Sequence, residues 1–102
     1  MSPTSDSIHR LTLFTTGKEP ILVGELNRLS HHALKALPAR FPGLKITRQA
    51  IHPDRVEMDL DLSRLDEDVQ RIVQSFKSEV KALARRKELS GENLWQWGYL
   101  EG

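Results

Sequence analysis

From Val56 to Leu62 the chain alternates without a miss. Val56, Met58, Leu60 and Leu62 are apolar, and Glu57, Asp59 and Asp61 between them are acidic. Successive side chains of a strand point to opposite faces, so this period of two dictates a strand with one buried side and one acidic side. A strand of that kind belongs to a sheet with one face covered and the other turned to water.

A different period follows at once. Val69, Ile72, Val73, Phe76, Val80 and Leu83 recur at helical spacing and mark one stripe of an amphipathic helix. Asp66 is placed to cap that helix, with Glu67 and Asp68 at its positive end. Arg85, Arg86 and Lys87 suit its C-terminus, and Ser90-Gly91 ends it. Phe76 stands mid-stripe, so truncating it should be costly, whereas Lys77 beside it reads as solvent-facing and cheaply replaced.

The N-terminal half repeats the pattern less sharply. Ile8 to Thr16 is rich in β-formers, with Leu11 and Leu13 alternating with Thr12 and Phe14, until Gly17-Lys18-Glu19-Pro20 breaks it. Leu22, Leu26, Leu29, Ala33 and Ala36-Leu37 then follow helical spacing, with Pro38 as the expected stop. Phe41-Pro42-Gly43 turns the chain into a second strand, about Leu44 to Ile51. Its register is ambiguous, because Leu44 and Ile46 fit one parity and Ile51 the other. His52-Pro53-Asp54 makes a tight turn into the alternating strand, and Leu94 to Leu100 reads as a last strand.

The order strand, helix, strand, strand, helix, strand is a split βαβ arrangement. It predicts an α+β, ferredoxin-like sandwich, a four-stranded antiparallel sheet with both helices on one face. Right-handed crossovers place the first and third strands in the centre and the second and fourth at the edges.

At 102 residues the chain holds one core, expected over residues 8–102 behind a polar leader at 1–7. Its net charge of +1 offers no global attraction to nucleic acid, so any anion-binding role has to come from local clustering. It has no cysteine, which excludes disulfides and thiolate ligands and fits a cytoplasmic location. No apolar run approaches the roughly 20 residues of a membrane span.

Several stretches, in order, resemble the single-tyrosine HUH transposases, the family that includes insertion-sequence and REP-associated tyrosine transposases. His52-Pro53-Asp54-Arg55-Val56-Glu57-Met58-Asp59-Leu60 is similar to the family strand that carries the His-hydrophobic-His metal motif. Leu94-Trp95-Gln96-Trp97-Gly98-Tyr99 is similar to a later strand of the same proteins. Lys18 to Glu25 and Gln74-Ser75-Phe76-Lys77-Ser78 resemble further family segments. The resemblance implies a ferredoxin-like fold and cutting and joining of single-stranded DNA beside hairpins, through a tyrosine nucleophile and a divalent metal. It also implies DNA on the open sheet face, where an acidic row would repel phosphate.

Two departures change the expectation. The positions of the metal-holding histidines are Arg55 and Glu57, and a guanidinium cannot ligate a cation. The family nucleophile lies on a helix beyond the last strand, and the given chain stops at Gly102. Tyr99 matches the strand and not the nucleophile. The expectation is therefore a catalytically incompetent relative, with no catalytic residues, metal or cofactor. It retains at most binding of hairpin or single-stranded DNA, and self-association as a homodimer. Two alternatives stand beside it, a fragment of an active transposase and a dimeric interaction domain with no nucleic-acid role.

The candidate DNA contacts are Arg71, Lys77, Lys81 and Arg85, which share a third of the second helix's circumference opposite the apolar stripe. The candidate dimer interface is Trp95, Trp97 and Tyr99, expected on one face of an uncharged edge strand. Glu57, Asp59 and Asp61 are spaced too far along a strand to converge on one ion and read as a solvated row paired with Arg10 or Arg48. His9, His52 and the adjacent His31-His32 read as surface residues.

Overall fold

The computed structural model describes residues 8–89 and 94–102. Four strands form one antiparallel sheet: β1 (Ile8–Phe14), β2 (Lys45–His52), β3 (Arg55–Asp61) and β4 (Leu100–Glu101). Two helices, α1 (Glu25–Arg40) and α2 (Val69–Arg86), pack on the sheet and on each other. The strand order β2-β3-β1-β4 puts the first and third strands in the centre, as the split βαβ reading requires.

The alternating strand behaves as its pattern dictates. Val56, Met58 and Leu60 are fully buried, opposite Leu13, Leu11 and His9 of β1. Beneath the helices they join Leu34 and Leu37 of α1 and Ile72, Phe76 and Val80 of α2 in one core. The register that the sequence left open in β2 is resolved by a β-bulge. Ile46 pairs with Leu60, but Arg48 pairs with Asp59, leaving Thr47 as the extra residue. That one insertion returns Ile51 to the face of Ile46 despite its opposite parity. Thr47 Oγ1 donates to the Asp59 carbonyl at 3.3 Å, so the bulge is hydrogen-bonded across to β3.

Three element ends differ from expectation. Pro38 lies inside α1, which runs on to Arg40. A proline removes only its own N–H, and the next bonds survive, with Phe41 donating to Leu37 at 2.9 Å. Leu22 is buried but precedes α1, held from the loop by its N–H on the Pro53 carbonyl at 2.8 Å. The cap of α2 is Asp68, which accepts from the Gln70 N–H at 3.0 Å, and not Asp66.

The C-terminus of α2 closes before Ser90-Gly91, which lies outside the described residues. Leu89 N–H reaches the Ala84 carbonyl at 2.8 Å and Glu88 N–H the Arg85 carbonyl at 3.0 Å. This is a Schellman motif, with Glu88 holding the left-handed position at φ +57° that glycine usually fills. At the Phe41-Pro42-Gly43 turn a glycine is obligatory. Its φ is +103°, and a Cβ there would lie 2.7 Å from the Arg64 carbonyl oxygen.

Candidate nucleic-acid interface

The outward face of the sheet carries β3's odd-numbered residues and their cross-strand partners. Arg55 Nε lies 2.9 Å from Glu57 Oε2, and its Nη1 lies 2.9 Å from Asp54 Oδ1. Arg48 reaches Glu57 at 3.4 Å and Asp59 at 3.3 Å, and His52 Nε2 stands 3.7 Å from Glu57. Arg10 Nε approaches Asp59 at 3.5 Å, without the alignment of a hydrogen bond, and Asp59 is buried beneath its arginine partners rather than solvated as expected. The Arg55 hydrogen bond holds the Glu57 carboxyl below the ordinary glutamate range, and the Glu57 bond in turn raises the Arg55 guanidinium. The acidic row is thus cross-linked by arginines from both neighbouring strands, and the face is balanced in charge.

This is the place where the resemblance puts a metal, and the residues do not fit one. A divalent ion beside Glu57 would meet the Arg55 guanidinium already hydrogen-bonded to that carboxylate. No group of three or more His, Asp or Glu side chains among the described residues is arranged to hold a metal ion. Tyr99 is half-buried, and its burial, with Glu101 and Asp68 nearby, raises its hydroxyl above the ordinary tyrosine value.

The second candidate region lies along α2. Arg71 and Arg85 are exposed and Lys81 is half-buried, but Lys77 is only 7% exposed. Lys77 follows Val73 by four residues and precedes Val80 by three, so it flanks the apolar stripe rather than opposing it. Its ammonium donates to the carbonyls of Gln96 at 3.0 Å and Gly98 at 2.7 Å. Burial pushes that ammonium below the usual lysine range, while the two carbonyls face its charged form. Arg71 pairs with Glu67 one turn earlier at 3.5 Å.

The expected strand from Leu94 to Leu100 is interrupted. Thr15 faces Trp95, whereas Thr12 faces Leu100, so five steps along the C-terminal segment match three along β1. The two extra residues are accommodated where Trp97 and Gly98 bend, with Gly98 at φ +73°. Ladder bonds resume on both sides, from Gln96 N–H to Phe14 at 2.9 Å and from Gly102 N–H to Arg10 at 3.0 Å. The three aromatic residues therefore do not share a face. Trp95 and Tyr99 pack on the core, Trp95 against Phe76 with ring centroids 5.6 Å apart, while Trp97 is 93% exposed.

Between α2 and this bend lies a cleft of about 280 Å³. Gln74, Ser78 and Lys81 form one wall and Gln96, Trp97 and Gly98 the other. Among the described residues its lining contains two lysines and no carboxylate. Sequence reasoning named Lys81 and Trp97 separately and missed that they share a wall-to-wall space. Gln74 and Ser78 had entered only as the ends of a segment resembling the family, although their spacing from Lys81 already placed all three on one helix face.

No protein-family model matches the chain, and no curated protein does. Solved structures do. A REP-associated tyrosine transposase bound to a REP hairpin superimposes with a TM-score of 0.75 at 17% identity. That match covers 94% of this chain and 55% of the transposase. A protein of Deinococcus radiodurans R1 assigned as a transposase gives a TM-score of 0.72 at 19% identity, over 93% of this chain and 76% of that one. The chain thus has a tyrosine-transposase-like fold, and it spans about half the length of the REP-associated enzyme. No helix among the described residues is long and apolar enough to cross a membrane.

Proposed function

We propose that this chain is a DNA-binding domain on the transposase fold that does not carry out metal-dependent strand cleavage. The observation that carries this reading is the Arg55 guanidinium fixed between Asp54 and Glu57, where the resemblance places paired histidines. A catalytic metal polarises a phosphoryl oxygen and offsets its developing charge. Here the Arg55 guanidinium already has its Nε and Nη1 hydrogen-bonded to two carboxylates. Binding is supported by the likeness to a transposase bound to a REP hairpin, and by Lys81 and Arg85 along α2, where Arg71 is already paired with Glu67.

The test is incubation with single-stranded and hairpin DNA in Mg²⁺ or Mn²⁺. The expected result is a retarded complex at low salt, with no nicked product and no adduct on a denaturing gel. A covalent protein–DNA adduct would overturn the reading. Self-association is a second reading, favoured by Trp97 and Leu100 standing 93% and 61% exposed near the C-terminal edge. The bend at Trp97-Gly98 blunts that edge, so a homodimer would rest on side-chain contact more than on strand pairing.

A further inference from the structure

The cleft beside α2 is the place where the chemistry of α2 and that of the C-terminal segment meet. Three features of it converge. The first is the indole of Trp97, 93% exposed in a chain whose other tryptophan packs on Phe76. An isolated exposed indole offers a planar apolar surface of the kind on which an aromatic ring stacks. The second is charge. Among the described residues, the charged side chains that line this cleft are Lys77 and Lys81. The third is the set of polar ends, Gln74, Ser78 and Gln96, which can both donate and accept hydrogen bonds.

The position of Trp97 is built rather than accidental. Two extra residues between the Trp95 and Leu100 pairings push the bend out of the ladder. The buried Lys77 ammonium grips the carbonyls on either side of Trp97, those of Gln96 and Gly98, and holds them toward α2. Lys77 is thus a positioning residue. It uses two of its three N–H donors to fix the bend and leaves one for a further acceptor.

A planar ring, an anionic group and base-edge donors and acceptors together describe a nucleotide. The volume of about 280 Å³ is close to the roughly 300 Å³ at which small-ligand pockets begin, the scale of a single small ligand. We propose that this cleft holds one unpaired nucleotide of a DNA single strand, its base stacked on Trp97 and its phosphate paired with Lys81. This rests on the DNA-binding reading above and gives it a location, separate from the charge-balanced sheet face.

Tryptophan fluorescence provides the experiment, with a thymidine homopolymer titrated into the full chain at low salt. The expected result is quenching with saturable binding. Trp97→Ala should weaken binding about five- to a hundred-fold, the loss of one base–aromatic stack, and Trp97→Phe should recover part of it. Lys81→Gln should flatten the salt dependence by about 0.7 in log–log slope, the value for one phosphate of a single strand. Circular dichroism checks that each variant is folded. If the wild type binds and both Trp97→Ala and Lys81→Gln bind equally well, the cleft is not the site, although the DNA-binding reading survives. If the wild type binds no nucleic acid, both fall. Equal affinity for a blunt duplex, or for the matching RNA strand, would also overturn the assignment.

Discussion

The open face of the sheet and the cleft beside α2 use similar polar residues in opposite ways. On the sheet face, Arg10, Arg48 and Arg55 each stand against a carboxylate of β3 or of the turn before it, and the charges cancel in place. In the cleft, Lys77 is held by uncharged carbonyls and Lys81 shares the lining with amides, a hydroxyl and indoles. The lesson is that the number of cations does not identify a phosphate-binding surface. What matters is whether the fold has already supplied each cation with a counter-charge. The face that the family resemblance marks as functional is the neutralised one, whereas among the described residues the charged side chains lining the cleft are lysines.

Removing the side chain beneath Trp95, which lines the cleft, should have the largest effect. Phe76 is fully buried and Trp95 tilts against it, so Phe76→Ala should destabilise by roughly 3–5 kcal/mol, a large share of a small domain's stability. Urea denaturation measures it. A loss under about 1 kcal/mol would show that α2's inner face does not support the cleft.

Lys77→Ala comes next. It removes two charge-assisted bonds and leaves two carbonyls without that donor, which should cost roughly 2–3 kcal/mol. The same variant should alter Trp97 emission, since the bend loses its anchor. A near-neutral substitution with unchanged emission would return Lys77 to the exposed face that its chemistry suggests.

The smallest effect belongs to the sheet face, and pH reads it. Glu57 is held below its ordinary value, chiefly by Arg55, so its stabilisation is present above the usual glutamate pKa of about 4.3. That stabilisation is lost as pH falls through the lower folded value. Thermal melts between about pH 6 and pH 3 should therefore show a shallower acid limb for Arg55→Ala than for the wild type. Superimposable curves would mean that the pairs are screened by solvent and hold nothing.

Much of this was legible in the chain. The alternation from Val56 to Leu62 determined the central strand and its two faces, and the stripe through Ile72, Phe76 and Val80 determined α2. Their order then implied the sheet topology, because side-chain period and crossover handedness are local rules. Pairing of the acidic row with Arg10 and Arg48 was also readable from neighbouring strands. The positions of Arg55 and Glu57 came from the resemblance.

Only the tertiary structure decided the rest. The bulge at Thr47 and the bend at Trp97-Gly98 each insert residues against a partner strand, and no periodicity within one segment reveals what lies opposite it. Lys77 reads as a surface cation because lysine is seldom buried. Its ammonium is covered because a segment about twenty residues later folds over it and presents two carbonyls. A charge's environment is set by whatever the rest of the chain places around it, and that placement exists only once the chain has folded.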